Sequence, residues 1–268
     1  MKLNVFDLAK NKVGEIDLPP QFYEEFRPDL IQRAVSAAQS HRRQNYGASP
    51  GAGKRVSAKL SRRRRDYKTS YGFGISRVPR KILSRRGTRM NWVGAFAPGT
   101  VGGRKAHPPK SGKELSKKIN EKERAKALRS AIGATLLREL IIERGHAVPE
   151  GFPFVLQDEL ESLDKTGNVL DSLERLGFAD ELSRAEERSV RAGKGKNRGR
   201  KYKKKKGILI VVAKEGKISK AAANLPGIDV AEVKKLSAEL LAPGGKPGRL
   251  TLWTTAALDM LEKEKLFT

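Results

Sequence analysis

Hydrophobic positions recur at helical spacing in two stretches of the N-terminal half. Leu30, Ile31, Ala34, Val35 and Ala38 form one stripe behind Pro28, whose fixed φ suits a first helical turn, so a helix is predicted from Pro28 to Arg42. Ala127, Leu128, Ala131, Ile132, Leu136, Leu137, Leu140 and Ile141 form the second. It opens at Asn120 with Glu123 three residues on, a capping-box spacing, and should end near Arg144 and Gly145. Two short apolar runs, Phe152 to Leu156 and Ile208 to Ala213, have the length and side chains of buried strands. Between them Val169, Leu170, Leu173 and Leu176 mark a helix, and a more polar helix is predicted over Asp180 to Val190. The pattern then alternates: a helix at Ser219 to Leu225, a strand at Ile228 to Val230, a helix at Ser237 to Leu241, a strand at Arg249 to Thr254, and a helix at Ala256 to Lys265. Leu3 to Leu8 and Lys12 to Asp17 read as a hairpin turning at Lys10 and Asn11. Strands alternating with helices predict an α/β fold, a three-layer sandwich with a largely parallel central sheet.

Periodicity fails between the two framing helices. From Tyr46 to Pro109, glycines and prolines interrupt every run, and no amphipathic helix of ordinary length fits. Connections inside compact domains are usually about 4–6 residues, so a stretch this long is either disordered alone or ordered by a partner. Because both flanking helices belong to the body, the expected organisation is one globular domain of residues 1–40 and 114–268, with residues 41–113 inserted as an extended loop. A second irregular tract, residues 191–206, lies within the domain.

Charge changes the picture from unusual to specific. The 268 residues carry 56 Lys and Arg against 30 Asp and Glu, a net of +26, which points to a polyanionic partner. Residues 41–113 hold 20 Lys/Arg and one acid, Asp66; residues 191–206 hold 10 and none, leaving the remainder slightly acidic. Cysteine is absent, which excludes disulfides and thiolate chemistry. Asp7 and Lys10 interrupt any leader-like apolar run, and Ile208 to Ala213 is far short of the roughly 20 residues that span a bilayer, so the expectation is a soluble intracellular protein without a membrane partner.

Within the long segment, Tyr46, Tyr67, Tyr71, Phe73, Trp92 and Phe96 are interleaved with arginines, a pattern suited to stacking on unpaired bases while guanidinium groups fork onto phosphates. The bland alternative is a flexible basic linker, which has little use for Trp92 and Phe96. The candidate RNA contacts of the first part are Arg42, Arg43, Lys54, Arg55, Arg62, Arg63, Arg64 and Arg65, followed by Tyr71, Phe73, Arg77 and Arg80. Arg85, Arg86, Arg89 and Trp92 come next, then Phe96, Arg104, Lys105 and His107. In the short tract Lys194, Lys196, Arg198, Arg200, Lys201 and Tyr202 are candidates. That tract reads as an RNA-backbone contact, a nuclear localisation signal or a solvated loop; its abrupt junction with a buried strand favours the first.

Tests for catalytic chemistry fail. Ala48 to Arg55 resembles a phosphate loop, but Ala48 replaces its first glycine and Arg55 its Ser/Thr; Gly72 to Arg77 starts like a dinucleotide fingerprint and puts Arg77 in place of its third glycine. His41, His107 and His146 are far apart: the first two read as RNA contacts and His146, beside Gly145, as a helix C-terminal residue. Asp158, Glu159, Glu161 and Asp164 read as a solvated face rather than a divalent-metal site. No metal, cofactor or small-molecule substrate is expected.

The segments Ser84-Arg-Arg-Gly-Thr-Arg89, Gly94-Ala-Phe-Ala-Pro98, Gly102-Gly-Arg-Lys105, Lys117-Lys-Ile-Asn-Glu-Lys-Glu-Arg124 and Leu241-Ala-Pro-Gly-Gly-Lys-Pro-Gly-Arg-Leu250 together resemble the large-subunit ribosomal protein four family. Val78-Pro-Arg80 and the 191–206 tract are similar to its archaeal and eukaryotic branch, and the sequence departs from the bacterial pattern at Lys81 to Arg86. The resemblance implies a structural constituent of the large ribosomal subunit, in the cytoplasm, that binds ribosomal RNA directly and has no catalysis. It implies a loop threaded into the RNA, with a tip in Arg80 to Trp92 lining the peptide exit tunnel. Arg85, Arg86, Arg89 and Trp92 would lie nearest the tunnel, and large-subunit protein twenty-two would be a neighbour there. The rival reading is a nucleic-acid-modifying enzyme with a Rossmann-like body and a basic substrate-docking loop.

Overall fold

A computed structural model describes residues 1–66, 69–87 and 89–267. Tyr67, and Thr88 within the Ser84–Arg89 motif, lie outside the described residues. In chain order the elements are β1 (Lys2–Phe6), β2 (Lys12–Asp17), α1 (Pro28–His41), β3 (Arg80–Arg86), β4 (Arg89–Gly94), α2 (Glu121–Ala134), α3 (Arg138–Glu143), β5 (Val155–Leu156), α4 (Glu159–Ser162), α5 (Thr166–Arg175) and α6 (Ala179–Glu186). There follow β6 (Arg188–Val190), β7 (Tyr202–Lys204), β8 (Leu209–Val212), α7 (Lys217–Ala222), β9 (Asp229–Glu232), α8 (Ala238–Leu241), β10 (Thr251–Thr254) and α9 (Thr255–Lys263). The chain forms two compact units, Met1–Arg42 with Ser116–Thr268, and Arg43–Leu115.

The first unit is mixed α/β. Among the described residues its sheet runs β2-β1-β5-β10-β8-β9, parallel throughout except for the β1/β2 hairpin. Alternation along the strands divides the core. Leu209, Val211, Val155 and Trp253 pack with Ile31, Val35, Leu128, Ile132 and Leu258, whereas Ile210, Val212, Leu156 and Leu252 pack with Leu160, Val169, Leu173, Ile218 and Ala222. Side chains of successive strand residues point to opposite faces, so β5 and β8, apolar at every position, contribute to both clusters. All the residues of these two clusters belong to the first unit.

Several elements differ from their sequence-based bounds. The long helix expected from Asn120 to Arg144 breaks after Ala134 and resumes as α3. At the break Thr135 Oγ1 donates to the Ile132 carbonyl at 2.7 Å, and the Trp253 indole N–H reaches Thr135 Oγ1 at 3.4 Å. Asn120 stands at the N-cap position without a side-chain cap bond, and Glu123 accepts from Arg33 Nη1 at 3.1 Å instead, so the capping box does not form. Strand β5 is two residues long, preceded by a cis Phe152–Pro153 peptide. The polar helix α6 stops at Glu186, and Arg188–Val190 becomes a strand. The long basic segment holds an antiparallel hairpin, β3/β4, where no regular element was expected, and β6, at the end of the expected polar helix, pairs antiparallel with β7 of the short basic tract.

Candidate nucleic-acid interface

In the second unit, β3 and β4 are built from the segment's few β-favouring side chains. Ile82 faces Trp92 and Lys81 faces Val93, and the register shifts between Ile82 and Ser84, a bulge at Leu83. Among the described residues, three aromatic rings each carry a guanidinium. The Arg80 guanidinium lies 5.4 Å from the Trp92 centroid and also donates to the Ser76 and Val78 carbonyls at 2.7 and 3.2 Å. Arg77 lies 4.9 Å from the Tyr71 ring and Arg104 6.0 Å from that of Phe96. Such pairs are flat platforms with N–H donors around their edge, matched to a base face and an adjacent phosphate.

The two limbs of the insertion run together. The Ala48 N–H donates to the Pro109 carbonyl at 3.0 Å, and a Cβ at Gly53, which has φ +72°, would stand 2.5 Å from the Arg104 backbone nitrogen, so only glycine allows that approach. An open cleft of about 1440 Å³ between the limbs is lined in part by Lys54, Arg104, Lys105, His107, Lys110 and Lys113.

Most of the remaining candidates sit in solvent. Arg43, Arg62, Arg63, Arg64, Arg65, Arg86, Arg89, Lys105 and His107 are exposed, and Phe73 is 68% exposed. Arg85 is exposed with its Nε donating to the Gly87 carbonyl at 2.9 Å. Arg42 and Arg55 have partners within the protein: Arg42 pairs with Glu239 at 2.8 Å, and Arg55 donates to Ser49 Oγ and the Pro50 carbonyl at 2.5 and 3.0 Å. Ala95 is the one buried hydrophobic residue among the described residues of this unit.

The short tract is a separate patch on the first unit. Strands β6 and β7 pair Arg188 with Lys204, Ser189 with Lys203 and Val190 with Tyr202, and Arg191 extends the ladder through its N–H to the Lys201 carbonyl at 2.8 Å. A 3₁₀ turn over Gly193–Arg198 carries Lys194, Lys196 and Arg198; with Arg200, Lys201 and Tyr202 these are all exposed, and Lys201 Nζ lies 5.4 Å from the Tyr202 ring. Sequence reasoning missed Arg188, which lies outside the 191–206 tract and joins it only through strand pairing. It also missed the anchor beneath the hairpin.

That anchor is a buried charge network. Arg249 is 0% exposed; its guanidinium donates to the Gly207 and Leu240 carbonyls at 3.0 Å each and to Asp229 Oδ2 at 2.5 Å, while Lys206 binds the same carboxylate at 2.8 Å. Burial pulls the Arg249 pKa down, against the opposing pull of Asp229. Beside it Arg184 donates to the Lys206 carbonyl at 2.8 Å and to Glu181 at 2.6 Å. Glu181, 1% exposed, also faces His146 Nδ1 at 2.7 Å and accepts the Ala147 N–H at 3.0 Å. Burial would raise the Glu181 pKa, but the Arg184, His146 and Ala147 contacts outweigh it and hold the carboxyl below its ordinary range. His146 is therefore a buried partner of Glu181 as well as the residue after Gly145, the left-handed glycine that follows the Arg144 C-cap, its N–H bonding back to the Ile141 carbonyl at 3.2 Å.

The acidic group is not simply a solvated face. Asp158 Oδ1 accepts from Thr255 Oγ1 and the Ala256 N–H at 2.6 and 2.7 Å, and Glu161 Oε1 accepts from the Ala213 N–H and Thr254 Oγ1 at 2.9 and 2.7 Å. Two carboxylates of this chain thus occupy the carboxyl ends of β8 and β10, where open α/β sheets usually receive phosphate ligands. No group of three or more His, Asp or Glu that could hold a metal exists among the described residues, and none of its helices is long and apolar enough to cross a membrane.

Comparison with known proteins gives a match of residues 16–264 to the Ribosomal protein L4/L1 family. The large ribosomal subunit protein uL4 of Nanoarchaeum equitans is 50% identical over 268 residues, all of both chains. Those of Archaeoglobus fulgidus and Methanococcoides burtonii are 47% and 46% identical, over 97% of this chain and 98% and 97% of theirs.

Proposed function

The chain belongs to the ribosomal protein L4/L1 family, and from that premise we propose that it is a structural constituent of the large ribosomal subunit in the cytoplasm, binding ribosomal RNA through its two basic patches. The relatives are archaeal, in keeping with the branch the sequence resembles. Family membership sets aside the enzyme reading, and the carboxylates at the strand ends agree with that.

In this reading residues 1–40 and 114–268 form a three-layer platform and residues 41–113 an arm that enters the RNA. Arg62 to Arg65 and the Arg77–Tyr71, Arg80–Trp92 and Arg104–Phe96 pairs hold phosphates and bases along the way. Arg85, Arg86, Arg89 and Trp92, on and beside the β3/β4 turn, form the tip in the exit tunnel, with large-subunit protein twenty-two as neighbour. Lys194, Lys196, Arg198, Arg200, Lys201 and Tyr202 make a second contact. The observation that carries the reading is the segregation of charge: the arm has one buried hydrophobic residue among those described, so cations and exposed rings are nearly all it offers a partner.

Salt dependence tests it. If about ten of these cations meet phosphate, the logarithm of the affinity for deproteinised large-subunit RNA should fall against log salt with a slope of about −7 to −9. A slope near −2 overturns the proposal.

A further inference from the structure

At the foot of the β6/β7 hairpin lies a notch of about 330 Å³, bounded by the hairpin on one side and residues 223–229 on the other. Arg188 and Lys204 both line it, both are exposed, and they are directly opposed across the two strands. Like charges facing each other in an antiparallel pair repel, and neither side chain has an acidic partner among the described residues. Their neighbours are already committed. Lys205 pairs with Glu187, and Lys206 shares Asp229 with the buried Arg249, which leaves Glu186 as the one uncommitted acid in the lining. The repulsion is also held in place, since Arg184 and Arg249 grip the Lys206 and Gly207 carbonyls where the hairpin joins the sheet.

We propose that this notch is a seat for one backbone phosphate of RNA, held between Arg188 and Lys204 and closed on its far side by Asn224. This rests on the ribosomal-RNA reading and adds a contact that the basic tract alone does not contain. A phosphate oxygen between two cations converts a destabilising pair into a bridged one, with charge-assisted hydrogen bonds from both sides. The seat therefore has opposite signs in the free and bound protein: the two cations weaken the free hairpin and strengthen the complex.

The full-length chain and its R188Q, K204Q and double variants would be titrated with deproteinised large-subunit RNA over a salt series. Amide exchange of the free proteins would be read at Ser189 and Lys203. The expected result is a salt slope shallower by about 1 in each single variant, a double variant scarcely worse than either single, and slower exchange at the hairpin amides. Inorganic phosphate up to millimolar concentration should leave exchange unchanged, since a lone seat lacks the remaining contacts of the RNA; protection by phosphate alone would overturn RNA as the occupant. Slopes equal to the parent, or faster exchange in the variants, would overturn the seat. A parent chain that fails to bind the RNA would instead overturn the functional reading beneath it.

Discussion

Glu181 shows how a single buried carboxylate ties stability to pH. Its folded pKa lies below the ordinary 4.5 because Arg184, His146 and the Ala147 N–H outweigh burial. A depressed folded value means that its stabilisation is fully present above about pH 4.5 and is lost as pH falls through the folded value. Glu24, bonded to Arg129, and Asp229, bonded to Lys206 and Arg249, are depressed too and act in the same direction. Thermal unfolding followed by circular dichroism should therefore show the midpoint falling steeply below pH 4.5. E181Q should cost about 3 kcal/mol at pH 7, because Arg184 and His146 lose a charged acceptor in a buried place, and its midpoint should fall less on acidification. An unchanged acid limb in E181Q would rule Glu181 out as a source of the pH dependence. At this scale the sequence was legible only locally. Gly145 and His146 announced a helix end, but Glu181 is 35 positions from His146, and nothing in the spacing pairs them.

Among elements, legibility followed burial. Ile208 to Ala213 was readable as a strand because water is excluded from both faces, which leaves a continuous apolar run, and Arg249 to Thr254 is likewise buried throughout β10 although Thr251 and Thr254 are polar. Strands β6 and β7 were not, since every residue in them is exposed and the period-2 signal vanishes when neither face is buried. The helix break at Thr135 went unseen for the opposite reason: Leu136, Leu140 and Ile141 continue the apolar spacing past Gly133, and the Thr135 hydroxyl that bonds back to the Ile132 carbonyl leaves no mark in that spacing. The acids at 158 and 161 read as surface charge, yet they join α4 to the start of α9. D158A should cost about 1 kcal/mol as a lost cap. E161A should cost more, on the order of 1–3 kcal/mol, because it strands the Ala213 N–H at the end of β8. Urea unfolding of both, with RNA affinity measured alongside, should show lower stability and unchanged binding; weakened binding in proportion to stability would contradict a purely architectural role for these acids.

The whole molecule separates a platform that folds on its own core from an arm that has almost none. Both apolar clusters consist of residues outside 43–115, and within the platform the chain on either side of that segment is fastened together: the Lys117 N–H donates to Ser40 Oγ at 2.8 Å, and Lys117 Nζ donates to Ser36 Oγ at 2.9 Å. That closure is what sequence could anticipate, from two framing helices with an aperiodic basic stretch between them. What it could not give was the β3/β4 hairpin, whose apolar side chains are too few to set a pattern. Ordering a residue costs about 1–2 kcal/mol in backbone entropy, and one buried alanine does not offset that over such a length; in the proposed reading, contacts to RNA make up the difference. Replacing residues 43–115 by a six-residue Gly/Ser linker shortens the closed loop more than tenfold, which lowers its closure entropy by about 2 kcal/mol. The shortened protein should therefore unfold cooperatively at a midpoint higher by roughly 4–8 °C, while its affinity for large-subunit RNA at physiological salt falls by orders of magnitude. A lower midpoint would mean that the arm stabilises the platform in the free protein; retained affinity would move the principal RNA contact onto the platform and its second hairpin.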